Sequence, residues 1–283
     1  MVAGAFFFSV MSALVKVAGQ RLPSQEVVFA RSLIMVVICA VALRVRGIAL
    51  LGTRRRLLLL RSAFGFAALS CFYYGLTHLP IADATVIQYM NPLFAALFAV
   101  YLLRERLRPV ELVGLLISLV GVVIVARPSF LFGGEARLPL FAVLVSLCGA
   151  LCSGVAYVLV RKLDTEHYLV VIFYFSALSV LGSLPFVLHQ PVLPRGGEWL
   201  VLLGVGLSTQ AGQIFLTRGL HAERAGPATA ATLVQIIFAA TWGVLWFGEI
   251  PDLWVLLGSA LIVASLLGTA GRGRGEPALD AAR

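Results

Sequence analysis

Apolar runs about twenty residues long, separated by short polar connections, organise this chain from end to end. Stretches without Asp, Glu, Lys or Arg cover 62–82, 84–103, 138–160, 225–248 and 253–271. Each is close to the roughly 20 residues that a helix needs to cross a bilayer core. Extending the pattern predicts ten spans, at about 2–19, 26–43, 57–78, 82–103, 109–126, 138–160, 168–189, 197–218, 226–246 and 252–270. The runs are continuous, whereas barrel strands would alternate, and open strands would leave backbone groups unpaired in lipid. Helices are therefore expected throughout. No connection is long enough to hold a soluble domain.

The spans repeat. Shifting the chain by 144 residues places Ser9 on Ser153, Phe29 on Phe173, Ser32 on Ser176, Gly75 on Gly219, Ala84 on Ala228, Glu105 on Glu249 and Gly114 on Gly258 in one register. Five helices per half is an odd number, so the second copy must enter the membrane from the opposite side. The expected fold is an all-α polytopic membrane protein with ten transmembrane helices in two inverted five-helix repeats. The first repeat covers 1–137, the second 138–271, and 272–283 form a cytoplasmic tail. Inverted repeats are a recurring plan of secondary transporters, with the substrate site near the midplane between the halves.

Composition confirms the solvent: 60% of the residues are hydrophobic and 12% charged, against about a quarter charged in soluble domains. The net charge of +9 suggests nucleic acid only until its placement is read. Sixteen basic residues (Arg44, Arg46, Arg54, Arg55, Arg56, Arg61, Arg104, Arg106, Arg108, Arg161, Lys162, Arg218, Arg224, Arg272, Arg274 and Arg283) fall on one side. Five (Lys16, Arg21, Arg127, Arg137 and Arg195) fall on the other, and Arg31 lies inside the second span. The positive-inside rule then puts both termini in the cytoplasm, with the protein in the cytoplasmic (inner) membrane. The basicity is a topology signal, and no nucleic-acid partner is expected. Trp199, Trp246 and Trp254 fall at the external ends, as interfacial anchors do. Cys39, Cys71, Cys148 and Cys152 all sit within spans, and two thiols sharing a face fall short of a metal's ligand set. Neither a metal nor a cofactor is expected. The stretch before Lys16 carries no basic residue, so span 1 reads as part of the fold and not as a signal peptide.

Polar residues within the apolar runs carry the chemistry. The stretch HLPIADATVIQYMNP, 78–92, opens span 4 with Asp83 and then brings Gln88, Asn91 and Pro92. Asp83 stands where a carboxylate caps free N–H groups and meets the helix dipole; charge coupling or substrate contact is the alternative. Pro92 falls about 15 Å into the helix, where it removes a backbone hydrogen bond and kinks the helix. Its neighbour Asn91 maps onto Gln235, and Gln88 onto Thr232. Amides at mid-depth are costly against lipid, so they face the interior or a wet cavity. Either interhelical hydrogen bonding or cavity lining accounts for them. Further stripes fall at helical spacing: Ser9, Ser12 and Lys16; Ser70, Tyr73 and Thr77; Ser146, Ser153 and Tyr157; Gln210, Gln213 and Thr217. Spans 5 and 10 show instead small residues seven apart, Gly114/Gly121 and Gly258/Ser265, which suits close packing.

With these residues in place, the chain resembles the EamA-type branch of the drug/metabolite transporter superfamily, and within it the bacterial relatives of solute carrier family 35 subfamily G. The resemblance is carried by LPIADATVIQYMNP at 79–92, ARPSFLFG at 126–133, GQIFLTRGLHAERAGP at 212–227 and FGEIPD at 247–252. SALVK followed by LPSQEVVFAR, through Lys16, Glu26 and Arg31, adds to it. The resemblance implies a ten-helix basket whose central cavity alternates between the two sides. It also implies a substrate such as an amino acid, a carboxylate or a nucleotide derivative like S-adenosylmethionine.

Among the charged residues, Arg31 either pairs with Glu26, snorkels outward, or presents its guanidinium to an anion. Lys16 ends a polar stripe, as a gate or substrate contact would. Arg61 and Arg218 lie at cytoplasmic ends, where topology accounts for them, and His78 and His221 are candidate proton carriers by type. The expected substrate cavity thus comprises Lys16, Tyr73, Gln88, Asn91, Tyr157, Gln210, Gln213, Thr232 and Gln235, with Glu26, Arg31 and Asp83 for gating or charge pairing. The leading expectation is a secondary active or facilitative transporter for a small polar metabolite, amino-acid-like or carboxylate-bearing. The runner-up is a nucleotide-derived substrate stacked on Tyr73, Tyr74 and Tyr157. An intramembrane enzyme is disfavoured, since the spans hold no H-E-x-x-H helix, no Ser/His pair at matched depth and no paired Asp. The expected partners are a small-molecule substrate and the bilayer, and a homodimer stays open.

Overall fold

The computed structural model describes residues 1–79, 81–105, 108–126, 139–189, 191–224, 228, 230–247 and 253–273. Helices account for its regular structure: α1 (Val2–Ala18), α2 (Ser24–Val45), α3 (Arg55–His78), α4 (Ile81–Gln88), α5 (Asn91–Leu103) and α6 (Pro109–Ala126) form the first half. The second half contains α7 (Leu140–Lys162), α8 (Tyr168–His189), α9 (Glu198–Ala222), a 3-10 turn (Ala231–Val234), α10 (Gln235–Phe247) and α11 (Leu253–Gly273). Among the described residues there is no strand. Among the described residues six stretches are long and apolar enough to cross a membrane, and three shorter apolar helices accompany them. Exposed Val37, Val41 and Val45 on α2 and Val113 and Val120 on α6 form the outward faces. Such faces are at home in hydrocarbon, because each helix satisfies its own backbone.

The element boundaries obey the sequence repeat. Adding 144 to Ser24–Val45 gives the bounds of Tyr168–His189, and adding it to Asn91–Leu103 gives those of Gln235–Phe247. Packing follows the same exchange of halves. Contact of α3 with α7 is mirrored by α9 with α1, α5 with α7 by α10 with α1, and α3 with α8 by α9 with α2. The α2–α8 and α6–α11 contacts are each their own counterpart. A two-fold relation between the halves produces this pattern, as an inverted repeat requires.

The α6–α11 pair is close because its seam is small. A Cβ at Gly121 would stand 2.7 Å from the Gly258 carbonyl oxygen and 2.8 Å from Ile262 Cγ1. Within the same seam Ser118 Oγ donates to Ser265 Oγ at 3.0 Å, and Ser265 Oγ donates to the Gly114 carbonyl at 2.5 Å. On α8, by contrast, the buried serines look inward to their own helix. Ser176, Ser179 and Ser183 on α8 each donate to the carbonyl four residues earlier, which removes their polarity from any cavity.

The fourth span departs from the expected kinked helix over 82–103. It is two helices, with a turn at Tyr89 and Met90 between α4 and α5. Pro92 does not interrupt a continuous helix; it occupies the first turn of α5, where its missing N–H has no intrahelical partner to lose. The ninth span is interrupted at the corresponding place by the 3-10 turn, which passes directly into α10 at Gln235. No proline marks this second break. The backbone of Asp83 belongs to α4, and its side chain lies outside the described residues, as do Pro227, Glu249, the segment 127–138 and the residues from 274 onward.

Candidate functional site: a polar seam at two helix breaks

The breaks bring polar side chains to the contact between the halves. From the α4 end, Gln88 Nε2 donates to Ser153 Oγ of α7 at 3.1 Å. From the start of α10, Gln235 Nε2 reaches Ser12 Oγ of α1 at 3.4 Å. Each broken span thus touches the first helix of the opposite half. Asn91 is buried at the first position of α5, and Thr232 is buried in the 3-10 turn. On α9, Gln210 is buried and donates to Cys39 Sγ of α2 at 3.2 Å, while Gln213 stands one turn further along.

What distinguishes this seam is unmet hydrogen-bonding capacity. The buried atoms Gln88 Oε1, Asn91 Oδ1 and Gln213 Oε1 accept no hydrogen bond from the protein, nor do Ser146 Oγ and Thr217 Oγ1. A buried polar group left unmade costs about 1–3 kcal/mol, so a purely structural seam would have paired them. Unpaired acceptors at helix breaks are what a wet, substrate-accepting cavity presents. Irregular backbone is tolerated at membrane depth only inside protein or beside such a cavity.

The remaining sequence candidates distribute differently. Tyr73 is buried on α3, tilted against Phe72. Tyr74 is stacked on His78 at 3.9 Å and meets Phe141 edge-on, so one of its faces is already taken. Tyr157 on α7 packs beside the core that includes Leu163 and Ile172. Lys16 is exposed near the end of α1, one turn beyond the Ser12 that Gln235 reaches. Ser9, at the head of its stripe, accepts from Trp242 Nε1 at 2.9 Å.

A pair with Glu26, one of the alternatives for Arg31, is not formed. Arg31 Nη1 instead approaches Met11 Sδ at 3.7 Å, its Nε is without a partner, and Glu26 Oε2 is likewise unpartnered. The carboxylate of Glu26 accepts a backbone hydrogen bond from Val192 and interacts with the charge of Arg21. Both side chains are nonetheless buried, at 8% and 5% exposure.

Two polar latches close the ends of the molecule. At one, Arg21 forms a forked contact with Glu198 and donates to the Leu193 carbonyl at 2.8 Å. At the other, Glu166 Oε1 accepts from Thr53 N at 2.7 Å, from Thr53 Oγ1 and from Arg54 N. Burial acts to raise the Glu166 pKa, but these hydrogen bonds and the Arg54 charge outweigh it and hold it below the ordinary carboxylate value. In the same connection, burial together with the charges of Arg46 and Arg218 lowers His167. The 144-residue shift carries Arg54 onto Glu198 and Leu22 onto Glu166, so the latches occupy equivalent places. Sequence reasoning passed over both, because their partners lie 113 and 177 residues apart.

Topology accounts for the helix-end position of Arg61 but not for its burial: it is only 3% exposed on the inner face of α3. Its position one turn inside an apolar run, four residues before Gly65, was the available signal.

Comparison with known proteins agrees with this architecture. The model of the EamA-like transporter family matches residues 1–127 and 140–271, once in each half. A pseudopaline exporter, CntI, of Pseudomonas aeruginosa PAO1 is 34% identical over 268 residues, covering 94% of this chain and 93% of that protein. Human solute carrier family 35 member G1 is 30% identical over 279 residues, covering 94% of this chain and 76% of that protein. A protein of solved crystal structure shares the fold with a TM-score of 0.77 at 22% identity, over 96% of this chain and 97% of that one. The two matched segments, the ten-span plan and the paired helix breaks converge: the chain belongs to the EamA-like transporter family and is a multi-pass membrane transporter.

Proposed function

We propose that this transporter carries a small polar metabolite, amino-acid-like or carboxylate-bearing, across the cytoplasmic membrane by alternating access, with both termini in the cytoplasm. The observation that carries the reading is the pair of symmetry-related helix breaks, with buried acceptor oxygens left unpaired on Gln88 and Asn91 at the first break and on Gln213 of α9. Acceptors of that kind suit ammonium, hydroxyl or amide donors on a substrate. The buried cations Arg31 and Arg61 suit its carboxylate. The similarity to a protein named as an exporter of pseudopaline supports outward movement of a metabolite. A nucleotide-derived substrate fits less well, since Tyr74 is already stacked on His78.

Latches at both ends suit a carrier, which must close one side before opening the other; an open pore needs neither. The test is purified protein in liposomes, loaded with unlabelled amino acids or di- and tricarboxylates and given the labelled form outside. Saturable uptake that is accelerated by internal substrate is the expected result. Conductance without saturation would make the protein a channel, and chemical conversion of the solute would make it an enzyme.

A further inference from the structure

Several arginines among the described residues are matched. Arg21 meets Glu198, Arg161 meets Glu105 at 3.4 Å, Arg224 meets Glu111 at 2.7 Å, Arg46 donates to Tyr168 Oη at 2.9 Å, and Arg54 donates to the Lys162 carbonyl at 3.1 Å. Arg61 is the contrast. It is 3% exposed, and its Nε and Nη1 make no hydrogen bond. Its guanidinium lies 4.2 Å over the Phe175 ring of α8, with Gly65 leaving room beside it on α3. Its ionisable neighbour is Tyr157 on α7, a phenol that carries no charge at neutral pH. An unpaired charge inside a membrane protein is costly, and it persists where function requires it. With both Nε and Nη1 unpaired, the guanidinium keeps N–H donors to offer a carboxylate.

We propose that Arg61 is an anion-binding residue that receives a carboxylate group entering from the side of the Glu166 latch. The latch residue Arg54 is the N-cap of α3, two turns before Arg61 and about 10 Å away along the helix, so opening at Thr53 and Arg54 uncovers the approach. The aromatic face of Phe175 holds the guanidinium in place without neutralising it, which leaves its charge for the incoming group. This assignment rests on the carboxylate-bearing substrate proposed above and names the residue that reads it.

The test uses the purified full chain in detergent and follows its melting temperature in acetate, succinate or L-glutamate against chloride at matched ionic strength. The expected result is a carboxylate-specific rise for the native protein, and for Arg61→Met a rise that is absent or needs about tenfold to a hundredfold more carboxylate. Without carboxylate, Arg61→Met is expected to melt at or above the native temperature, because a buried unpaired cation has been replaced by an apolar chain. A purely structural arginine gives the reverse, a lower melting temperature with the carboxylate response intact, and that result overturns the proposal. So does the lack of any carboxylate-specific rise in the native protein. Should Arg61→Met not fold, Arg61→Lys decides: it keeps the charge but loses the fork, and an undiminished carboxylate response in it counts against the assignment. A response that depends on Arg61, found in a protein without saturable flux in liposomes, would uphold the anion site and remove the transport reading instead.

Discussion

Asn91 and Gln235 stand at equivalent positions, each the first residue of the helix that follows a break. Asn91 keeps an unpaired buried oxygen, whereas Gln235 spends its amide nitrogen on Ser12. If both line the cavity, Asn91→Leu and Gln235→Leu reduce flux about tenfold to a hundredfold, the worth of a lost polar contact, with melting temperature nearly intact. Were they only interhelical bonds, each change would lower stability by about 0.6 kcal/mol, the average for such bonds in a membrane protein, and transport per folded molecule would survive. Flux and melting measured on the same preparations separate these outcomes. Glu166 gives a second expectation at this scale. Its folded pKa lies below the unfolded value of about 4.5, so its stabilisation is full above that value and is lost as pH falls through the folded one. A melting profile against pH should therefore fall off below about 4.5 in the native protein and fall less in Glu166→Gln; parallel profiles would contradict the latch. Such details were only partly legible in the sequence. The amide pair followed from the repeat, but Arg61 was masked by its agreement with the positive-inside rule, and Glu26 and Arg31 lie five positions apart, close enough to suggest a pair that their helix geometry does not make.

Among elements, the helices themselves were readable because lipid demands continuous apolar runs, and the predicted ends of spans 7 and 10 lie within a few residues of α8 and α11. The break in span 4 was signalled by Pro92, though as a kink. The break in span 9 had no local signal. Its residues Ala231–Val234 hold no glycine or proline, only the β-branched Thr232 and Val234 of weak helix propensity, and the 3-10 turn is held by packing, with Leu233 fully buried against Ile236 and Ile262. Only the repeat could have transferred the expectation from one span to the other. The α6–α11 seam allows a sharper check. A leucine at Gly121 would drive its Cβ to within 2.7 Å of the Gly258 carbonyl oxygen, a backbone atom that cannot swing aside. Gly121→Leu is expected to lower stability by about 1–3 kcal/mol or more, read as reduced folded yield and melting temperature. A leucine at exposed Val120 or Val113 should be neutral. Equal yields for Gly121→Leu and Val120→Leu would sink the assignment of this pair as tightly packed scaffold.

At the scale of the molecule, the inverted repeat requires two states of similar energy, each related to the other by exchange of the halves. Topology comes first: reporter fusions at Arg55 and at the C-terminus are expected to report cytoplasm, and one at His189 the outside. An external C-terminus would remove the odd-numbered halves and the inversion with them. The two latches then define what must move. The Glu166 contacts with Thr53 and Arg54 close one end, the Arg21–Glu198 contact closes the other, and each joins one half to the other. The most direct test of alternating access is a pair of distances measured by spin labels, after replacing Cys39, Cys71, Cys148 and Cys152. One label pair sits at Arg55 and Thr165, the other at Gln20 and Arg195, all exposed positions. In proteoliposomes with a transported solute present, the account requires two populations at each end and opposite responses: as the 55–165 distance lengthens, the 20–195 distance shortens. Distances that stay fixed at both ends, or lengthen together, would contradict it.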